Sequence, residues 1–214
     1  MRKMLTVAAV AGALVASGGE IVLFAAAVTP LAAVRSHSGG TFALNAGVLE
    51  IATQGNTGYP GVLVKGAWDL SGCNRLSLEI VHRDGKGELP LTVRLDNPDA
   101  DAGKGRGVFV DRIRTARGTK VYEVALPPTL PNAKAINANL FGMRNGPFTT
   151  TGLVADLDAA KVVGVAVYIK EPKLDWLWGV KRIVAHTGPA AEVPQWMRMT
   201  EAEFFPFIDR KSVV

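Results

Sequence analysis

Side chains that could do chemistry are sparse and scattered in this sequence. It has no Gly-x-Ser-x-Gly elbow, no His-Glu-x-x-His pair and no Gly-x-x-x-x-Gly-Lys phosphate loop. Gly103, Gly105 and Gly107 make a G-x-G-x-G run, but a strand pattern follows where a dinucleotide site must open a helix, so the run reads as a flexible loop. Asp156 and Asp158 are carboxylates of the kind a glycosidase sets on either side of the scissile bond, yet their adjacency fits a polar turn better. The densest group of hard oxygen ligands is Asp96-Asn97-Pro98-Asp99-Ala100-Asp101. A structural calcium would be its natural occupant, but the EF-hand spacing fails and Asn-Pro with Asp is the composition of a turn at a strand end. No metal site and no cofactor are expected.

The remaining signal is aromatic. Trp176 and Trp178 are two apart, so on a strand they share a face. Sugar-binding proteins use such platforms because the C–H face of a pyranose stacks on an aromatic ring, while nearby amides and guanidinium groups bind its hydroxyls. Arg144 and Asn145, in a long loop, are candidates for the second task. The alternative is that the two tryptophans plug the end of the fold or pack on a neighbouring domain. Trp68, at a strand entrance, is expected in the core.

The elements that would position these residues are strands. Leu76, Leu78 and Ile80 alternate with Ser77, Glu79 and Val81; Leu91, Val93 and Leu95 alternate with Thr92 and Arg94; Val121 and Glu123 alternate with Tyr122 and Val124. The strongest pattern spans 162–170, with Val163, Val165, Val167 and Ile169 on one face and Gly164, Ala166, Tyr168 and Lys170 on the other. Small residues on that second face imply that it too is covered. Further strands are expected over 21–27, 48–52, 62–65, 108–112 and 180–185. Turn signals such as Gly55-Asn56-Thr57-Gly58 and Asn97-Pro98-Asp99 separate them. About ten short strands without a long helix before residue 190 predict an all-β protein, a β-sandwich or barrel, and long Asn-, Pro- and Gly-rich connections such as 127–148 suit a jelly-roll β-sandwich better than a meander. In the tail, Thr200 and Glu203 have capping-box spacing, and Pro206 is expected to end any helix almost at once.

Composition agrees with one compact domain. The 214 residues carry 24 Lys plus Arg against 19 Asp plus Glu, with 48% hydrophobic residues and one cysteine, which excludes a disordered chain, a disulfide scaffold and a zinc finger. Six cations lie from Lys104 to Lys120 with only Asp111 among them. No aromatic residues interleave for base stacking, so they read as a solvated face and nucleic acid is not an expected partner. Met1-Arg2-Lys3, the apolar run to Ala16 and the small residues Val15-Ala16-Ser17 form a signal peptide over residues 1–17; an uncleaved anchor that includes the apolar stretch 21–34 is the rival. The chain is therefore expected to be secreted or periplasmic, without a membrane partner once the signal is cut.

Several segments resemble a known family. Ala67-Trp68-Asp69-Leu70-Ser71, Leu76-Ser77-Leu78-Glu79, Val93-Arg94-Leu95-Asp96-Asn97-Pro98, Phe141-Gly142-Met143-Arg144 and Leu157-Asp158-Ala159-Ala160-Lys161-Val162-Val163 are similar, in order and spacing, to the carbohydrate-binding-module-like domain that precedes the catalytic barrel of β-agarases. Glu203-Phe204-Phe205-Pro206-Phe207-Ile208-Asp209 is similar to the segment with which that barrel begins. The resemblance implies a galactose-binding-like jelly roll over residues 18–190, then a linker and the start of a (β/α) barrel over 191–214. It implies a secreted bacterial hydrolase whose catalytic glutamates lie on the barrel, so that this chain is not catalytic alone. Agar-type galactan and the barrel are the implied partners; for such a module Trp176, Trp178, Arg144, Asn145 and Asn97 are the expected sugar contacts. A purely structural interdomain module without sugar binding of its own is the alternative.

Overall fold

The structure, a computed structural model, describes residues 15–16, 19–84, 87–99, 106–126, 157–189 and 195–211. In these residues the chain forms twelve strands: β1 (Val15–Ala16), β2 (Glu20–Ala25), β3 (Val34–His37), β4 (Thr41–Asn45), β5 (Val48–Thr53), β6 (Gly61–Trp68), β7 (Cys73–His82), β8 (Leu89–Asp96), β9 (Arg106–Thr115), β10 (Gly118–Ala125), β11 (Val162–Ile169) and β12 (Trp176–Thr187). They make two antiparallel sheets of seven and five strands. In the larger one β12 is the hub: its first half pairs with β5, its second half with β2, and its other edge with β7. The smaller sheet has the order β3-β6-β11-β8-β9. Most neighbours are distant in sequence, as in the expected jelly-roll sandwich.

Alternation decides which side chains fill the space between the sheets. Leu76, Leu78 and Ile80 of β7 face Leu91, Val93 and Leu95 of β8 and Val165, Val167 and Ile169 of β11 in one core, each at most 1% exposed. Burying each such side chain contributes about 1.5–3 kcal/mol. The start of β11 departs from strict alternation, with Val162 fully buried and Val163 half-buried. There the strand leaves a 3-10 turn, and β6 bulges opposite it, so that Gly66 and Ala67 together face Val163. Trp68, expected in the core, is half-buried against it.

Three strands were not anticipated from the sequence. β1 lies within the stretch read as a signal peptide, and the short edge strands β3 and β4 are mostly exposed, β4 having only Phe42 and Leu44 in alternation. Ala46 and Gly47, with φ of 46° and 72°, turn β4 into β5 as a tight two-residue hairpin of the type whose twist matches its strands.

The tail corrects one expectation. Helix α1 spans Gln195–Arg198 and α2 spans Glu201–Lys211, running straight past Pro206. The Glu203 carboxylate accepts hydrogen bonds from the Thr200 amide (2.8 Å) and hydroxyl (2.9 Å), which also holds its acid below the usual carboxylate range. Phe204, in the same turn, is fully buried. Proline removes one helical donor, and the capped first turn with its buried ring tolerates that loss.

One latch joins the end of β8 to the turn that launches β11. Asn97 is 6% exposed, and its amide donates to the carbonyls of Asp158 (2.7 Å) and Lys161 (2.8 Å) while its Oδ1 accepts from the Asp158 amide (2.8 Å). Asn97→Ala removes all three bonds and is expected to cost about 2–4 kcal/mol in urea unfolding. Asp158 is itself bound to the Lys161 ammonium (2.9 Å) and the Ala160 amide. The Lys161 ammonium and, after it, the Ala160 amide hold the Asp158 carboxyl below its ordinary 3.8, and Asp158 in turn raises Lys161 above 10.5. The pair therefore supports the fold between those limits. Its contribution is lost as pH falls through the lowered carboxyl value, and again as pH rises through the raised ammonium value. Thermal melts of wild type and Asp158→Asn should differ near neutrality and converge at acid pH.

Candidate functional site

Of the residues singled out from the sequence, Arg144 and Asn145 lie outside the described residues. Trp176 and Trp178 do share one face of β12, and that face is the interior. Trp178 has no exposed surface, pairs across the sheet with Ile51 and His82, and belongs to the core. A ring enclosed in this way has no face to offer a sugar; it plugs the sandwich. Its Nε1, His82 Nε2 and Thr53 Oγ1 are buried without a hydrogen-bond partner among the described residues, while His82 Nδ1 meets the Thr115 carbonyl at 3.0 Å. Trp176 is 7% exposed, its ring 5.7 Å from that of His82. It lines two shallow grooves of about 350 and 430 Å³ at this end of the molecule. The carboxylates of the second groove are engaged by backbone amides, Asp175 by Gly55 and Asp84 by Leu177. Asn97 is committed to its latch.

The polar and aromatic residues that do converge lie on the outer face of the five-stranded sheet. Because Leu89, Leu91, Val93 and Leu95 point into the core, Pro90, Thr92, Arg94 and Asp96 point the other way. The same rule turns Gly164, Ala166 and Tyr168 of β11 outward. All three are buried, as the small residues Gly164 and Ala166 implied from the sequence. Register then builds rows across the sheet. One row runs from His37 of β3 over Gly61 of β6 to Tyr168 and Thr92. The next runs from Arg35 over Leu63 and Ala166 to Arg94, and a third from Lys65 over Gly164 to Asp96.

In the first row the missing side chain at Gly61 brings two rings together. His37 and Tyr168 stack at 4.9 Å between centroids, 15° from parallel, and Tyr59, 41% exposed, meets Tyr168 edge-on at 5.9 Å. The ring nitrogen His37 Nδ1 lies 2.6 Å from the Tyr59 carbonyl, fixing both. A Cβ at position 61 would fall 2.6 Å from Tyr168 Cα and Cβ and closer still to the Val167 carbonyl oxygen.

Beside the rings, Arg94 sits 5.9 Å from the centre of Tyr168 and donates twice to Asp96, through Nε (2.7 Å) and Nη2 (2.9 Å). The side chains are 13% and 5% exposed. A two-pronged, largely dry ion pair is rigid, and Asp96 is spent on it rather than free to act as a calcium ligand. The face thus offers fixed aromatic edges beside a fixed guanidinium. Sequence reasoning missed His37 and Tyr59 because β3 and the loop before β6 carry no periodic signal. Tyr168, Arg94 and Asp96 could have been found by asking which residues alternate with the core positions of β8 and β11.

Removing one partner of such a pair leaves a buried charge, so Asp96→Ala is expected to cost about 3–5 kcal/mol. The double variant Arg94→Met with Asp96→Leu should recover most of that loss in equilibrium unfolding.

No protein-family model and no curated protein sequence matches this chain. Solved structures do share its fold. A structural analysis of an exo-β-agarase gives a TM-score of 0.57 at 15% identity, covering 82% of this chain and 26% of that one. The crystal structure of the agarase AgWH50C gives 0.54 at 14% identity, covering 81% and 25%. The family 11 carbohydrate-binding module of Clostridium thermocellum, in complex with a β-1,3-1,4-mixed-linked tetrasaccharide, gives 0.51 at 15% identity, covering 82% of this chain and 100% of the module. The chain spans about a quarter of the length of the agarases and the full length of the module. Its jelly-roll fold is shared with that module and with part of each agarase chain.

Proposed function

We propose that this chain is a non-catalytic carbohydrate-binding module of a secreted, agarase-type glycoside hydrolase, and that it holds agar-type galactan along the outer face of its five-stranded sheet. The observation that carries this reading is the cluster of His37, Tyr59 and Tyr168 beside the Arg94–Asp96 fork. Tyr168 is the buried buttress, and the half-exposed His37 and Tyr59 supply the surface on which the apolar face of a sugar ring rests. The guanidinium donates to its hydroxyls. Register and a buried ion pair hold these groups in place before a ligand arrives, which lowers the cost of binding. The fold shared with agarase chains and a family 11 module supports the reading, as does the resemblance of residues 203–209 to the start of a catalytic barrel. In that setting the barrel performs hydrolysis and this module presents the polymer to it, outside the cell or in the periplasm.

Affinity electrophoresis of the full chain through agarose gels tests this. Retarded migration is expected, weakened about tenfold or more by His37→Ala with Tyr59→Ala while the melting temperature stays near that of wild type. Wild-type migration equal to that in a gel without agarose would overturn it.

A further inference from the structure

The face that carries the aromatic cluster is also strongly cationic. Arg35 and Lys65 stand exposed in neighbouring rows on the β3–β6 side of this face, and neither has an ion-pair partner among the described residues. Lys170 continues the outer face of β11 by one row, level with Pro90, and Arg114 lies opposite Pro90 on β9. With Arg94 and Lys173, the face and the groove at its end hold six described cations against three carboxylates, Asp96, Glu88 and Glu171. Asp96 and Glu88 are each bound to an arginine, Arg94 and Arg114. A neutral glycan draws no net Coulombic attraction from such an excess, whereas an anion placed between the cations relieves their mutual repulsion.

We infer that the polymer held here is an anionic galactan, one whose sugars carry sulfate half-esters or carboxylates, with Arg35 and Lys65 forming the anion subsite. This rests on the sugar-binding reading above and sharpens its ligand class. The geometry suits a linear chain better than a point ion. The His37–Tyr59–Tyr168 cluster takes a sugar ring, and the two cations lie one and two rows farther along the same face, on its β3–β6 side like His37. Ring stacking sets the position of the chain, and the cations select residues bearing a negative substituent.

The test is calorimetric titration of the full chain with a sulfated galactan, with the same polymer after chemical desulfation, and with a polyuronate. About tenfold tighter binding of the sulfated than of the desulfated polymer is expected at about 50 mM NaCl, with the advantage largely screened at about 500 mM. Arg35→Gln with Lys65→Gln should bring the two affinities together. Equal affinities in wild type, or a preference that survives the double variant, would overturn the anion subsite while leaving the sugar-binding face in place. Binding of neither polymer would instead overturn the sugar-binding reading. Tighter binding of the polyuronate than of the sulfated galactan assigns the subsite to carboxylates; comparable retention of single-stranded nucleic acid would overturn glycan selectivity altogether.

Discussion

The hydrogen-bond ladders that set β11 between β6 and β8 decide almost everything that follows. In an antiparallel sheet, register fixes which side chains stand beside one another, and a one-residue slip would send each to the opposite face. With Val165, Val167 and Ile169 held in the core, Gly164, Ala166 and Tyr168 are forced outward, and their partners on β8 are forced to be Asp96, Arg94 and Thr92. The hydrophobic effect thus positions the outer face indirectly. Register brings Tyr168, Arg94 and Asp96 to that face, and the His37–Tyr59 contact and the Arg94–Asp96 fork then fix the groups there.

This coupling explains why the buried face was easy to read and the outer one was not. The alternation of Leu76, Leu78 and Ile80, or of Leu91, Val93 and Leu95, is a direct imprint of one buried surface, and it led to the right strands and class of fold. The outer face is assembled from His37, Tyr59, Arg94 and Tyr168, which are far apart in sequence and become neighbours only through strand order. Trp176 and Trp178 misled for a related reason. Spacing of two says that the rings share a face, but whether that face is wet or dry depends on how the strand sits in its sheet. As the hub of the seven-stranded sheet, β12 turns both rings inward.

Asn97 shows the same limit at a turn. The Asn-Pro-Asp composition correctly indicated the end of a strand, but the amide's partners, Asp158 and Lys161, lie more than sixty positions away. A buried amide that satisfies three backbone groups has no hydrogen bond to spare for a sugar, and its role is to hold β8 and β11 in step.

Gly61 has a consequence for how such a module could diversify. The floor beneath the rings admits no side chain, since any Cβ there would collide with the backbone of β11. The rim is different: Arg35, Lys65 and Tyr59 extend into solvent from positions whose replacement leaves the core untouched. Substitutions at the rim would therefore change the chemistry of this face while the floor stays fixed, so that one scaffold can carry many different outer surfaces.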